Sequence, residues 1–445
     1  MRRSTALLVA TAATAAVVTG AAPATAEPAS ARNGEQVART EVSTGISRPG
    51  RPFGTKTTGE STAQAAEYQG TRFIPSAPRR ILDTRSGLGR GGVTTPVAGG
   101  SKIEVGVDNL PPYALAVVLN VTGTSPTANT YVSVWEGGDI PRPGVSTLNL
   151  VPGETRANSV TTYVSLDDTI NLYNNAGSTH LIADVAGYYV HDNPGAGFTT
   201  PGRYFATGPT RVYDSRNTGG AFYAGESRSI DFASSGVPSG ATAVSLNVTG
   251  VDATANTYVT AWPSGSTRPT ASSLNVVPGG ATPNGVTVSL SADRKVSLYN
   301  NAGFLHLIVD ITGYYLPTES GGADFYPVTP GRAFDTRDDL TPIAPAGKLT
   351  LLYLDPELAV NNSLLLNLTG TEPTANTYVT PFPAGTSRPN TSALNLVPGQ
   401  TSPNMATVRL GSAYDEMDNV YRPAHEFYNN AGYTHLVIDV FGIFA

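Results

Sequence analysis

From about residue 71 onward, short apolar runs rich in Val, Leu, Thr and Tyr alternate with clusters of Gly, Pro, Asn and Asp at a spacing of roughly ten residues. Side chains alternate across a strand, so a period of two places Val117, Leu119 and Val121 on one face and Val118, Asn120 and Thr122 on the other. The run from His180 to Val185 is apolar on both faces apart from its polar members, which is the pattern of a central strand. No segment sustains a 3.6-residue apolar period. The pattern predicts an all-β chain of antiparallel sandwiches, jelly-roll-like, or small barrels.

The strand pattern repeats three times. Thr-Ala-Asn-Thr-Tyr-Val occurs at 127–132, 254–259 and 374–379, and Tyr-Asn-Asn-Ala-Gly at 173–177, 299–303 and 428–432. Each unit opens on Pro-x-Arg-x-x-Asp-Thr/Ser-Arg, at Pro78–Arg85, Pro209–Arg216 and Pro330–Arg337, and contains Leu-Asn-x-Val-Pro-Gly at 148–153, 274–279 or 394–399. Asp83 and Asp214 are 131 residues apart and Asp214 and Asp335 are 121, long enough for each unit to hold its own core. Three tandem β-sandwich domains are therefore expected over 71–192, 201–317 and 323–445. Their short Pro- and Gly-containing connections predict a semi-rigid rod. The third unit carries nine extra residues within Gly411–Phe427.

Arg2 and Arg3, an apolar run from Ala6 to Val18 and a closing Ala24-Thr25-Ala26 read as a signal peptide over 1–26, so the mature chain is expected to start near Glu27. Residues 27–70, with few large apolar side chains, read as a disordered linker. The protein is expected to be secreted, extracellular or non-covalently associated with a cell wall, with no membrane partner after signal cleavage.

Composition narrows the chemistry. The chain has 28 Lys and Arg against 34 Asp and Glu and no basic stretch, which argues against nucleic acid. With no Cys it has no disulfide, thiolate metal site or thiol nucleophile. No Gly-x-Ser-x-Gly elbow or His-Glu-x-x-His is present. No cofactor, catalytic residue or metal ligand is assigned.

The run of Leu-Asn-Val-Thr-Gly, Thr-Ala-Asn-Thr-Tyr, Ser-x-Leu-Asn, Pro-Asn and a closing Asp-Val/Ile-x-Gly-Tyr-Tyr resembles a β-sandwich module of secreted actinobacterial proteins, over nearly all of 71–445. That module is commonly appended to wall amidases, proteases and other exported hydrolases. No hydrolase domain accompanies it here, and repeat 3 departs at Gly442-Ile443-Phe444.

Four features compete as sites. Asp83 with Arg85, Asp214 with Arg216 and Asp335 with Arg337 share a strand face, with Arg80, Arg211 and Arg332 expected on the opposite one. Three copies favour an ion pair that fixes the first strand over a ligand or calcium site. His180/Asp184, His306/Asp310 and His435/Asp439 share a face but stand roughly 13 Å apart on a strand, too far for a general base and its orienting carboxylate. The repeat 3 insert brings Asp415, Glu416, Asp418, His425 and Glu426, either an oxygen-ligand cation site or a solvated acidic loop. The fourth is an aromatic face: Tyr131, Ser133 and Trp135; Tyr258, Thr260 and Trp262; Tyr378, Thr380 and Phe382. A flat ring beside amides suits a sugar, which offers an apolar C–H face and polar edges. Asn129, Asn174 and Asn175 would supply the amides in the first unit, Asn256, Asn300 and Asn301 in the second, and Asn376, Asn429 and Asn430 in the third. The alternative is that these rings are core and that Asn-Ala-Gly is a turn.

The leading expectation is a non-enzymatic secreted repeat protein that adheres to a cell-wall or extracellular polysaccharide. The second is a structural or assembly protein that binds other protein chains or itself. A hydrolase with an unrecognised site is third.

Overall fold

The structure is a computed structural model that describes residues 35–42, 70–338 and 341–445. The expected signal peptide, and the expected linker apart from residues 35–42 and 70, lie outside the described residues. Strands dominate, and the one helical turn described is the 3-10 segment Ala233–Ser235.

The first strand is β1 (Glu35–Thr40). Repeat 1 supplies β2 (Arg72–Asp83), β3 (Val97–Ala98), β4 (Ser101–Gly106), β5 (Ala114–Thr124), β6 (Thr130–Glu136), β7 (Leu148–Leu150), β8 (Thr155–Tyr163), β9 (Thr169–Asn174) and β10 (Ser178–Val190). Repeat 2 supplies β11 (Arg203–Asp214), β12 (Ser227–Asp231), β13 (Ala243–Val251), β14 (Thr257–Pro263), β15 (Leu274–Val276), β16 (Thr282–Ser289), β17 (Lys295–Asn300) and β18 (His306–Leu316). Repeat 3 supplies β19 (Phe325–Asp335), β20 (Lys348–Tyr353), β21 (Ser363–Thr371), β22 (Thr377–Pro383), β23 (Leu394–Leu396), β24 (Ser402–Arg409), β25 (Gly411–Asp415), β26 (Val420–Asn429) and β27 (His435–Phe444).

These strands form six sheets. The order β2-β10-β5-β8 recurs as β11-β18-β13-β16 and β19-β27-β21-β24. The order β4-β9-β6-β7 recurs as β12-β17-β14-β15 and as β20-β26-β22-β23, which β1 extends at one edge while β25 pairs with β26. The described pairings are antiparallel except β1–β20, which is parallel. As its pattern predicts, β10 is internal, between β2 and β5. In repeat 1, Val117, Leu119 and Val121 share a buried cluster with Val132, Val134, Ile170 and Leu172 of the smaller sheet. Repeats 2 and 3 enclose comparable apolar clusters.

The rod predicted from the short connections is not what forms. The three repeats close around a common axis, because the second face of each larger sheet is also buried. Asn120 Nδ2 donates to Ser272 O (2.6 Å), Asn247 Nδ2 to Ser392 O (2.8 Å) and Asn367 Nδ2 to Ser146 O (2.7 Å), so repeat 1 meets 2, 2 meets 3 and 3 meets 1. A second ring of amides runs the other way: Asn284 to Asn120, Asn404 to Asn247 and Asn158 to Asn367, each 2.9 Å. The carbonyl oxygens of these donors accept main-chain N–H groups across the same joints, from Ser159, Gly285 and Met405.

At one end of the axis six aromatic rings form a plug. Phe73 packs tilted on Tyr315 (4.4 Å), Tyr204 tilted on Phe444 (4.3 Å), and Phe325 stacks on Tyr189 (4.1 Å), each pair joining two repeats. Backbone bridges Thr71–Phe325, Phe73–Gly202 and Tyr204–Ala323 close the same cycle. The last aromatic of Gly-Tyr-Tyr thus has a place in all three repeats, and Phe444 fills the third. Tyr189 and Tyr315 share one hydroxyl–hydroxyl bond of 2.7 Å, so a third buried hydroxyl is not needed there.

Residues 35–40, expected in the linker, form β1 on repeat 3, with Ala38 and Thr40 buried. Its buried positions are Gln36, Ala38 and Thr40, small or polar side chains that give no apolar alternation to read.

Candidate functional site

The opening Asp–Arg motif is a structural clasp. Asp83 Oδ1 accepts from the Arg85 main-chain N–H (3.0 Å) and Nε (2.9 Å), and Oδ2 from Arg85 Nη2 (2.7 Å), which folds the turn after β2 back on the strand. The same bonds recur at Asp214–Arg216 and Asp335–Arg337. These arginines hold all three carboxyls below the ordinary aspartate range.

Arg80, expected on the opposite face, instead lies near Asp83 (3.1 Å) while pairing with Asp184 at 2.9 Å. A register shift in the β2–β10 pairing, with Asp184 opposite Arg80 and Ala183 opposite Leu82, inserts one residue and turns Arg80 to the side of Asp83. Repeats 2 and 3 carry the same shift. Burial raises Asp184, Asp310 and Asp439, and Asp439 reaches about 6. The clasp of the third repeat is the looser one: Asp439 Oδ1 accepts from Arg332 Nε, but its buried Oδ2 has no hydrogen-bond partner among the described residues.

Each histidine of the His–Asp motif has its own small partner: His180 Nδ1 meets Thr84 Oγ1, His306 meets Ser215 and His435 meets Thr336, each at 2.9 Å. The aspartates go to the arginines. The two halves of the motif are not brought together as a catalytic pair.

The aromatic face is covered. β6 does alternate as predicted, with Val132 and Val134 toward the core and Tyr131, Ser133 and Trp135 outward. The loop after the strand then folds over that outer face. Trp135 is 3% exposed, its Nε1 donating to Ile140 O (2.9 Å), and Ser133 Oγ donates to Val145 O (2.7 Å). Trp262 is roofed in the same way, donating to Ser266 O (3.0 Å), and Phe382 is 4% exposed. Stacking of a ligand on Trp135, Trp262 or Phe382 is therefore ruled out. Tyr131, Tyr258 and Tyr378 stay half-buried, each in ring contact with a tyrosine placed diagonally on the neighbouring strand: Tyr173, Tyr299 and Tyr428. Arg142, Arg268 and Arg388 lie over those partner rings at 4.2, 3.5 and 3.7 Å, so a guanidinium occupies the ring face a sugar would need.

The first asparagine of each Asn-Asn-Ala-Gly loop is also internal. Asn174, Asn300 and Asn429 are fully buried, accept from Thr130, Thr257 and Thr377 Oγ1 (2.7 Å each), and donate to Val97, Phe222 and Ile343 carbonyls. They hold two loops at one end of each repeat and are removed from the ligand set. Asn129, Asn175, Asn256 and Asn376 remain exposed at those loop ends, with Asn301 and Asn430 half-exposed.

The same loop ends carry aromatics that lie outside the repeated motifs. Phe304 follows Asn-Asn-Ala-Gly in repeat 2 and is 49% exposed; Tyr433 follows it in repeat 3 and is 51% exposed. Tyr223, 60% exposed, meets Phe304 edge to face at 5.3 Å. The Thr254 N–H donates to Phe304 O (3.0 Å), so the Thr-Ala-Asn turn carrying Asn256 is joined to the backbone of Phe304. Val277 and Val397 of the Val-Pro-Gly turns are exposed as well. The signal was present in the residue after the repeated Gly: Ser178, Phe304 and Tyr433.

No protein-family model and no curated protein matches the chain. Among solved structures, one reported as the triple jelly roll fold and turret assembly in an archaeal virus is 9% identical over 89% of this chain and 98% of that one, with a TM-score of 0.17. A second, of Sulfolobus turreted icosahedral virus, is 9% identical over 84% and 89%, also at 0.17. Likeness at that level carries no argument about this chain.

In the acidic insert of repeat 3, Asp415, Asp418 and Glu426 are paired with cations of the chain itself, and Glu416 is exposed. β25 and β26 form a hairpin in which Asp415, 1% exposed, pairs with Arg422 (2.6 Å) and Arg39 (3.3 Å), and Asp418 binds the same two arginines. His425 is buried between Tyr353 OH (3.0 Å) and Val408 O (3.1 Å), and burial lowers its pKa to about 4. Glu426 pairs with Lys348 at 3.1 Å. A cavity of about 50 Å³ where the three repeats meet, lined by Ser159 and Thr161 of the first with Ser245, Thr287, Asp310 and Thr407 of the others, has room for water molecules rather than a ligand.

Proposed function

We propose that this is an exported, non-catalytic adhesion protein: three jelly-roll-like sandwich domains in tandem, closed about one axis, that bind an extracellular or cell-wall polysaccharide at their loop ends. The reading rests on one observation, the exposed Tyr223–Phe304 pair at a loop end whose hydrogen-bonded turns also carry Asn256 and Asn301, repeated in part as Tyr433 with the turns of Asn376 and Asn430. Uncovered rings and amides on adjoining turns suit the apolar face and hydroxyl edges of a sugar. Closure about an axis spaces the loop ends rigidly, so a polymer with repeated units engages more than one at once and gains avidity. Ser178 in place of an aromatic makes the first repeat the weakest contributor.

The test is retention of the purified protein on insoluble peptidoglycan, chitin and cellulose, with Tyr223→Ala/Phe304→Ala beside it. Wild-type retention on at least one polymer, with loss of at least ten-fold in the folded variant, is the expected result. No retention on any of the three, or equal retention of the variant, ends this reading. Trp135→Ala serves as the contrast: it opens a cavity and orphans Ile140 O, and is expected to cost about 3–5 kcal/mol of stability rather than act on binding alone.

A further inference from the structure

In the first two repeats the outer strand of the smaller sheet is built as a free edge. β4 (Ser-Lys-Ile-Glu-Val-Gly) and β12 (Ser-Arg-Ser-Ile-Asp) alternate charged or hydroxyl side chains into solvent, which blunts an edge against further pairing. The third is different. β20 reads Lys-Leu-Thr-Leu-Leu-Tyr and is buried from Leu349 to Tyr353, the composition of an internal strand. What makes it internal is β1, paired in parallel from Glu35–Lys348 to Thr40–Tyr353.

The contacts of β1 described here are with repeat 3. Gln36 Nε2 donates to Pro342 O (3.0 Å), Thr40 Oγ1 to Ala333 O (2.6 Å), and Leu354 N–H to Thr40 O (2.9 Å). Arg39 reaches Asp415 and Asp418 on the β25–β26 hairpin. The nine residues that set repeat 3 apart thus supply the carboxylates that anchor the added strand. An apolar edge, an acidic anchor and the single arginine of β1 form one matched set.

The covalent tie between that strand and the rest of the chain is long. Residues 43–69 separate Val42 from Gly70, a contour on the order of 90 Å. A covalent tie favours capture of a chain's own strand at low density, because it raises the local concentration of that strand. It does not prevent the strand from reaching another molecule. We infer that the β20 edge is a strand-acceptor site, and that residues 35–42 of a second copy of this chain occupy it when copies are crowded, linking them by reciprocal strand exchange. The main-chain hydrogen bonds and the Arg39 ion pairs are identical in the exchanged form, so exchange exposes no new apolar edge.

The chain has no cysteine, which makes the test clean. Val37 and Thr350 are register partners. Full-length Val37→Cys and Thr350→Cys chains, mixed at increasing concentration and oxidised mildly, are expected to form a heterodimeric disulfide whose yield rises with concentration. The Val37→Cys/Thr350→Cys chain should close the same disulfide internally at low concentration. A second readout uses Arg39→Glu, which repels Asp415 and Asp418 and loosens the chain's own strand. A synthetic peptide of residues 33–43 should bind that variant at least ten-fold more tightly than it binds wild type. An internal disulfide with no heterodimer at any concentration overturns the proposal, as does failure of the internal disulfide to form. Neither measurement involves a glycan, so the outcome is independent of polysaccharide binding.

Discussion

At the scale of single residues, glycine does what no other side chain is able to do at the plug. A Cβ on Gly187 would lie 2.3 Å from the Phe73 ring, on Gly313 2.4 Å from Tyr204, and on Gly442 2.2 Å from Phe325. Each aromatic lies flat across the neighbouring strand only because that strand carries no side chain there. Gly187→Ala is therefore expected to destabilise by about 1–3 kcal/mol through overpacking, readable in urea unfolding. Asp439 gives a pH signature. Its folded pKa of about 6 stands above the ordinary aspartate value, so the folded state holds the proton more tightly than the unfolded chain. Its contribution to stability is thus fully present below pH 4 and is lost as the pH rises through 6. Asp439→Asn keeps an acceptor for Arg332 without the buried charge. Its stability relative to wild type should rise between pH 4 and pH 8. A flat difference across that range contradicts the assignment.

At the scale of elements, the two amide rings make the edge strands β8, β16 and β24 parts of one another's environment. Removing Asn367 leaves Ser146 O without its donor and Asn158 Nδ2 without one acceptor. Asn367→Ala should cost about 2–4 kcal/mol, and Asn120→Ala and Asn247→Ala a similar amount, because each sits at an equivalent joint. Chemical denaturation of the three variants checks this; a cost at only one of them would mean that the cycle is not closed.

The strand pattern and the turn chemistry were legible because each depends on local alternation and local φ demands. The Asp83–Arg85 clasp was legible for the same reason, its partners being two residues apart. The position of Arg80 was not, since a bulge shows only in the register between strands far apart in sequence. Nor was the roof over Trp135, because the alternation that puts an indole on an outer face says nothing of the loop that returns across it.

For the whole molecule, closure changes what unfolding looks like. The three repeats share the aromatic plug and the amide rings, and repeat 1 shares its apolar cluster with Tyr204, Tyr315, Phe325 and Phe444 of the others. Calorimetry is expected to give one cooperative transition, with the van't Hoff enthalpy equal to the calorimetric one, rather than three independent melts. Three resolved transitions would return the molecule to a string of autonomous modules.

Three homologous stretches of β-rich chain, the inward faces of their strands and the turns between them follow from the sequence alone, because period-two alternation and Gly, Asn and Pro signals act over a few residues. Whether those stretches stand in a row or close into a ring is decided only in three dimensions. The same Asn120, Asn158 and Tyr189 read identically in either arrangement, and only their partners, over a hundred residues away, distinguish the two. The strand that completes repeat 3 is hidden for the same reason: Glu-Gln-Val-Ala-Arg-Thr has no apolar face of its own, and it becomes a strand because β20 offers an edge and Asp415 a charge.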